Sequence, residues 1–550
     1  MKAILFRYSS WCLSLFCMLS MLSCVELDVI PTDKYTDETY WTSEANASAL
    51  LNMAYKQMNS ADWLFRDERL SDNLYNGYGG DAVKTIGNGQ ATSSTALFDD
   101  VWKSIYSGIK TAHTLLENID RVPMDEGRKN RMKAEARFVR AFLFFQATNW
   151  YGDVPFFTED IDEATAKTIS PTTQSEIVAW IHKELEEIAE ILPTKEEYDV
   201  TDRGRITAGA AMAMNARIAL NFNEWEKVVQ YTEKLINTDN YGKYELFPDY
   251  QKLFFKENEY NSEIILDIQY VPEKRTWGNI STYVPFSLPL VQYVLASPTQ
   301  SLVDTYLMKD GSKWDESKGD YVDRDPRFDM TIVHHGSVIE DKEGNAITVN
   351  VDPNDPKNNT LDKIGRENGG HTGYFYRKYY DTNQEAWTTG TSWQCNINLI
   401  TLRFADVLLM YAEAKNELGE MNSDIWDKTI KRLRQRAGFD NTSAAMDYPA
   451  NGDLRQIIRD ERRVELALEG TRIYDIRRWK IAETVLNEPV RGAKFKLNEG
   501  KLEYFTYRDR SFNKDRDYLW AIPRQQLVIN PNLGQNPGCL LYTSPSPRDG

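Results

Sequence analysis

The chain has 550 residues, 27% of them charged, with 82 Asp and Glu against 65 Lys and Arg and a formal net charge of -17 at pH 7. So acidic a surface repels phosphate backbones, which excludes a general nucleic-acid binder from the function classes open to it. Past Cys24 only Cys395 and Cys539 remain, too few for a disulfide framework, so the core must hold together by packing.

The first element is an apolar run from Trp11 to Ser23, with Lys2 and Arg7 ahead of it and no acidic residue before Glu26. As a helix it would span roughly 20 Å, short of a hydrocarbon core of about 30 Å, so residues 1–23 read as an export signal. The run ends in Met21-Leu22-Ser23-Cys24, the pattern of a bacterial lipoprotein signal, and Cys24 is the expected acylated first residue. Two or more acyl chains anchor stably where one does not. No other stretch approaches eighteen consecutive apolar residues, so membrane contact is expected through the lipid anchor only.

Helical spacing is clearest at Ala134, Phe138, Ala141, Phe142 and Phe145, in a segment from about Asn130 to Asn149 whose apolar face is core. Small residues from Thr207 to Ala219, a break at Asn221-Phe222-Asn223, and Trp225, Val228, Tyr231 and Leu235 predict a helical hairpin like one tetratricopeptide unit. A second hairpin is predicted from Arg403 to Leu418, with a turn at Gly419 and a return helix from about Asp424 to Ala437. Between them Glu263 to Tyr270 (EIILDIQY) reads as a strand. The region from Val271 to about Leu399, rich in Gly, Pro, Asn, Asp and aromatics, reads as long loops with short strands. Long insertions of this kind usually serve function, and this one carries Trp277, Tyr283, Trp314, Tyr374, Trp387 and Trp393.

The titratable residues offer little chemistry. His334 and His335 would point to opposite faces of a strand and form no metal-ligand pattern. Asp323, Asp325 and Asp329, and separately Asp352 and Asp355, leave calcium open as a cofactor, although neither set has the Gly and terminal Glu of an EF-hand loop; no other cofactor is expected. Glu461 and Glu465 stand one turn apart on a helix predicted from about Leu454 to Leu468, at a spacing that suits a retaining glycosidase pair. Arg459, Arg462, Arg463 and Arg472 beside them favour ionised carboxylates, whereas a general acid needs a raised pKa. An ion-pair network reaching Arg477 and Arg478 is the expected role.

Several segments carry a resemblance: RFADVLLMYAEAKNELG at Arg403 to Gly419, RDERRVELALEGTRIYDIRRWK at Arg459 to Lys480, and YLWAIPRQQLVINPNLGQNPG at Tyr518 to Gly538. Further matches are EARFVRAFLFFQATNWYGDVPF at Glu135 to Phe156, EIILDIQY, and Arg324-Asp325-Pro326-Arg327-Phe328. In this order they resemble the SusD/RagB family of outer-membrane lipoproteins from Bacteroidetes. The resemblance implies a mainly α fold, a right-handed helical scaffold of several tetratricopeptide-like hairpins with long loop insertions and short strands. It also implies a single body over residues 24–538, with a helical part at 24–250 and a loop-rich ligand part with C-terminal helices at 251–538. Such proteins sit as lids on SusC-like TonB-dependent transporters, capture oligosaccharides at the cell surface and do not catalyse, and Glu26 and Asp28 fit export to the outer face. After QNPG this chain continues with Cys539 and LLYTSPSPRDG where the family has an aromatic, so residues 539–550 read as a sequence artefact.

A sugar receptor needs flat aromatic platforms with polar groups at their edges. That platform is expected where the loop Asn73-Leu74-Tyr75-Asn76-Gly77-Tyr78 approaches Trp277 and Tyr283, with Asn73, Tyr75 and Tyr78 from the loop, and with Trp314 and Trp393 as further candidates. Peptide capture by a transporter lid of the same type, and a surface glycosidase using Glu461 and Glu465, stand as alternatives.

Overall fold

The structure is a computed structural model that describes residues 37–79, 81–289, 291–366, 368–382, 388–389, 392–449, 451–497 and 500–539. The expected leader, Cys24, Glu26, Asp28, Trp387 and the tail beyond Cys539 lie outside these residues. Helix makes up 45% and strand 10%, which bears out the mainly α expectation.

The N-terminal part contains α1 (Glu44–Met58), α2 (Ala61–Arg69), β1 (Leu74–Asn76), α3 (Ala96–Asn118), α4 (Glu126–Tyr151), α5 (Gln174–Ala189), α6 (Ala208–Asn221) and α7 (Trp225–Asn237). After β2 (Ile264–Ile268), β3 (Ala296–Pro298) and β4 (Leu399–Arg403) come α8 (Phe404–Glu417), α9 (Ser423–Lys428), α10 (Ile430–Ala437), α11 (Leu454–Glu465) and α12 (Arg472–Arg478). The hairpin of β5 (Val490–Lys496) and β6 (Leu502–Tyr507) follows. Each long helix packs on the next: α3 on α4, α4 on α5, α5 on α6, α6 on α7, α7 on α8, and α8 on α11.

The local sequence explains these elements. Asp125 caps α4 by accepting the Arg128 amide at 2.8 Å, and Gly152, at φ +76°, ends it where a side chain would be strained. The predicted apolar face is buried, and so is nearly everything else from Ala134 to Tyr151, because α3 and α5 flank the helix. Each large ring buried here contributes about 1.5–3 kcal/mol. In the α6–α7 hairpin, small residues bring neighbours close: a Cβ on Gly209 would lie 2.2 Å from the Tyr244 hydroxyl. The second hairpin turns at Gly419, φ +72°, as expected, but its return helix is broken at Thr429 into α9 and α10. The Thr429 hydroxyl donates to the Ile425 carbonyl at 2.6 Å, a side-chain bond that competes with the helical ladder.

The strand expected at EIILDIQY is β2, which pairs antiparallel with β4 with an irregular register near Leu402. Around this pair the region after Val271 builds a second apolar core. Tyr283, Tyr306, Tyr374, Tyr376 and Tyr379 are each under 2% exposed. The aromatics there were expected to build a ligand surface. In a segment with few helices they instead supply the bulk that Leu and Ala supply in the helical part.

Arg403 joins the two cores. Its guanidinium donates to Glu263 and Glu465 at 2.8 and 2.7 Å and to both oxygens of Glu469 at 2.8 Å. Arg327 donates to Glu465 at 2.9 Å and pairs with Glu461 at 2.7 Å, while Arg434 holds the other Glu461 oxygen at 2.8 Å and Arg436 also reaches Glu465. The network around α11 therefore exists and reaches Arg478 through Asp475 as expected, but Glu461 and Glu465 pair with other arginines than their sequence neighbours. Arg462 goes to Asp406 and Asp475, Arg478 to Glu413 and Asp475, and Arg477 to the carbonyls of Asn149 and Tyr518. Helix geometry turns Glu461 and Glu465 away from their sequence neighbours and toward arginines brought in by folding.

Candidate ligand-binding site

The loop after α2 is fixed before it reaches the surface. Asn73, 1% exposed, donates through Nδ2 to Glu68 Oε1 at 2.8 Å and accepts through Oδ1 from Arg463 Nε at 2.9 Å. Next in line, β1 pairs antiparallel with β3, placing Tyr75 opposite Ser297. Tyr75 is 6% exposed, stacks on Tyr507 at 4.2 Å between centroids, and donates its hydroxyl to Asp509 at 3.1 Å. Burial and the Asp509 charge push that phenol well above its ordinary pKa.

Trp277 and Tyr283 are also inside. The Trp277 indole N–H donates to the Ile397 carbonyl at 2.9 Å, and Tyr283 stacks on Phe65 at 4.9 Å, with burial pushing its pKa up to about 12. Trp393, likewise buried, lies 6.4 Å from the Tyr380 ring. Trp314 is half-buried; its N–H is taken by the Gly319 carbonyl at 2.9 Å, and the Arg324 guanidinium stands 5.0 Å from its ring. The expected platform is thus corrected: Asn73, Trp277, Tyr283 and Trp393 are packing residues covered by protein, and Tyr75, with one face on Tyr507, is only 6% exposed.

Tyr78 does reach the surface, and with it a residue the sequence reading missed. Tyr293 lies 4.8 Å from Tyr78, the rings inclined at 32°, and both are half-buried. The Tyr78 amide continues the β1–β3 edge by donating to Leu295 O at 3.5 Å, which carries the tyrosine onto the segment bearing Tyr293. A signal existed in the sequence: Val291 and Val294 are buried and leave Gln292 and Tyr293 between them turned outward.

Beneath the pair the geometry is tight. A Cβ on Gly77 would lie 2.1 Å from the His371 ring, so only glycine passes there. His371 Nε2, 3.3 Å from the Val294 carbonyl, must be the donor; burial lowers its pKa to about 4, so the imidazole is neutral. Lys84 donates to the Gly77 carbonyl at 3.3 Å and stands 3.8 Å from Asp509, and Arg69 pairs with Asp81. A small cleft, partly open to solvent, adjoins this loop between Tyr75, Lys84, Asp509 and Arg510. The pair offers apolar ring faces, with Lys84, Asp81 and Asp509 brought beside its loop, which suits a ligand with C–H faces and a hydroxyl rim.

The other candidate residues are engaged by partners within the protein. Burial alone would raise the pKa of Glu461 and Glu465, but Arg327 and Arg434 about the first, and Arg436, Arg403 and Arg327 about the second, outweigh it and hold both below the usual carboxylate range. Neither can serve as a protonated general acid near neutral pH. Asp325 is bound to Arg327 and Asp329 to His334, so these two aspartates face separate partners.

Comparison with known proteins agrees with this architecture. Residues 262–538 match the family model described as the SusD family, and residues 27–220 match one described as "Starch-binding associating with outer membrane". The chain is 26% identical over 544 residues to SusD-like protein P2 of Formosa agariphila, covering 95% of this chain and 98% of that one. A crystal structure described as a SusD-like carbohydrate binding protein from Bacteroides fragilis superposes with a TM-score of 0.80 at 27% identity, covering 90% of this chain and all of that one. A laminarin binding SusD-like protein, 23% identical, shares the fold at a TM-score of 0.70, covering 90% of this chain and all of that one. With one family model spanning half its length and two further lines agreeing, the chain belongs to the SusD family.

Proposed function

We propose that this protein captures oligosaccharides on the Tyr78–Tyr293 ledge at the cell surface and delivers them to a SusC-like TonB-dependent transporter, without catalysis. The observation that carries the reading is the half-open tyrosine pair on an anchored loop, in a chain whose relatives include proteins described as carbohydrate binding and laminarin binding. A lipid on Cys24 would hold it to the outer membrane; among the described residues no helix is long and apolar enough to cross one. Because hydroxyl desolvation cancels much of the stacking gain, the affinity expected is modest, between about 1 mM and 1 μM. Weak capture suits a receptor that must release its cargo.

The test is calorimetry with starch and laminarin oligosaccharides on the purified protein. Tyr293→Ala should weaken binding about tenfold, the loss of roughly one stacking contact, with an unchanged melting temperature because the ring is already half in water. Wild-type affinity in that variant would remove the ledge from the site. Co-purification with the barrel from outer membranes tests delivery, and loss of membrane attachment in Cys24→Ala tests the anchor.

A further inference from the structure

Tyr260 is the most open aromatic side chain among the described residues, at 42% exposed, and it lines a different cleft from the one beside the ledge. Its backbone is left-handed, φ +63°, a conformation that costs a bulky residue about 1–3 kcal/mol and that Asn or Gly would adopt more easily. More than half of the side chain is covered by protein, yet one part of it stays open to solvent. The structure aims the ring: the hydroxyl donates to Gln269 Oε1 at 2.6 Å, and Gln269 is held by Asn398 Nδ2 at 3.2 Å and donates to Asp267. Gly204, φ +86°, lets the neighbouring loop close on this amide; a Cβ there would lie 2.4 Å from it. A ring oriented in advance loses little rotamer freedom when a ligand lands on it.

Beside Tyr260 opens a cleft, partly open to solvent, between the loop preceding α6 and β2. Its lining carries both signs of side chain: Lys195, Arg203 and Arg205 with Glu196, Glu259 and Asp267. Arg203 is exposed, and among the described residues no ion pair occupies it, so its five donors are available at the rim. An exposed flat ring with polar groups at its edge is what a sugar ring requires.

We propose that Tyr260 and this cleft form a second carbohydrate-contact site, taking a sugar ring on the tyrosine face with Arg203 donating to its hydroxyls. The proposal rests on the reading of the protein as a glycan receptor. Two weak contacts on one polymer act together, so the second site raises affinity for long chains.

The experiment is native affinity electrophoresis of the mature protein through gels containing soluble starch or laminarin, comparing wild type, Tyr293→Ala, Tyr260→Asn, Arg203→Ala and the Tyr293/Tyr260 double variant. Tyr260→Asn, whose new side chain accepts the left-handed backbone, should keep or raise the melting temperature and cut apparent affinity for the polymer about tenfold. Arg203→Ala should weaken retardation in the same direction, and the double variant should migrate as in plain gel. If Tyr293→Ala releases the protein while Tyr260→Asn and Arg203→Ala run as wild type, the second site is overturned and the ledge stands. Loss with Tyr260→Asn alone supports the second site and removes the ledge. A fall in melting temperature of core-substitution size in Tyr260→Asn would make it a packing residue and overturn the proposal. Wild type slowed by neither polymer would overturn both readings for these glycans.

Discussion

Arg472 on α12 grips Asp72 with two hydrogen bonds, Nε to Oδ1 at 2.8 Å and Nη2 to Oδ2 at 3.0 Å, across 400 residues of sequence. Arg463 adds a contact to the same carboxylate at 2.9 Å and a hydrogen bond to Asn73. The loop that presents Tyr78 is therefore positioned by the C-terminal helices. All these groups are nearly sealed from water, and burying such charges is tolerable only because each is paired. Removing one partner strands the others, so Asp72→Asn should lower stability by about 3–5 kcal/mol. Burial would raise the Asp72 pKa, but Arg463 and Arg472 outweigh it and hold it well below the usual range. Its contribution is therefore present above the unfolded carboxylate pKa and lost as pH falls through the lower folded value. Urea denaturation of the variant at pH 7 checks the magnitude; a loss under 1 kcal/mol would show that the pair is not anchoring the loop.

Trp277→Ala gives a second prediction, opposite in sign to the sequence expectation of an exposed platform. The indole is 5% exposed, hydrogen-bonded to Ile397 O and in ring contact with Phe65 at 5.5 Å. Truncating a buried Trp leaves a cavity and typically costs about 3–5 kcal/mol. The melting temperature should fall sharply. A variant that melts like wild type yet binds glycan more weakly would restore Trp277 to the site.

These outcomes show where the sequence was legible. Helix faces such as Ala134, Phe138 and Phe142, the turn at Gly419 and the strand at EIILDIQY follow from local periodicity and backbone chemistry, which are written within a few residues. The Tyr78 loop could be picked out for the same reason, because Gly77 and Gly79 flank an aromatic. Its partner could not. Whether Trp277, Tyr283 or Tyr293 faces water depends on which elements close over it, and those lie up to hundreds of residues away. The same limit applied to Glu461 and Glu465: their spacing was readable, but Arg327, Arg403, Arg434 and Arg436 arrive only with the fold.

Glu465 yields the catalytic test. It meets Arg403, Arg436 and Arg327 while fully buried. Glu465→Gln would leave three guanidiniums short of their counter-charge and should destabilise by at least about 3 kcal/mol. Wild-type protein should release no reducing ends from starch or laminarin over hours. Turnover by wild type, abolished in Glu461→Gln or Glu465→Gln variants that remain folded, would establish a glycosidase instead.

Glu68 predicts a pH effect of defined sign. Burial pushes its pKa from 4.5 to about 7, although Asn73 Nδ2 and the Gly470 amide donate to it at 2.8 Å each. The folded protein thus holds this proton more tightly than the unfolded chain. The associated stability is full below pH 4.5 and is lost as pH rises through 7. A Glu68→Gln variant, always neutral, should gain about 2–3 kcal/mol relative to wild type between pH 5 and pH 8. Burial of His371 and His113, which lowers both pKa values to about 4, acts in the opposite sense from 6.5 downward in both proteins and cancels in the comparison. Urea midpoints at the two pH values give the difference, and a constant gap would mean that Glu68 stays ionised.

Gly77 and His371 allow the ledge to be tested without touching a tyrosine. A Cβ at Gly77 would lie 2.1 Å from the imidazole, and the ring has little room to retreat, since it is 6% exposed, meets Tyr75 edge-on at 6.0 Å and contacts Val294 O. Gly77→Ala must therefore displace the loop that carries Tyr78. Misplacing one of two stacking rings should weaken glycan binding about tenfold, or roughly 1.4 kcal/mol. Adding His371→Ala vacates the space the new methyl needs, so the double variant should recover most of that affinity even though its own cavity lowers the melting temperature. Recovery of binding with lower stability separates ledge geometry from general folding. If Gly77→Ala binds normally, Tyr78 is not placed by this contact.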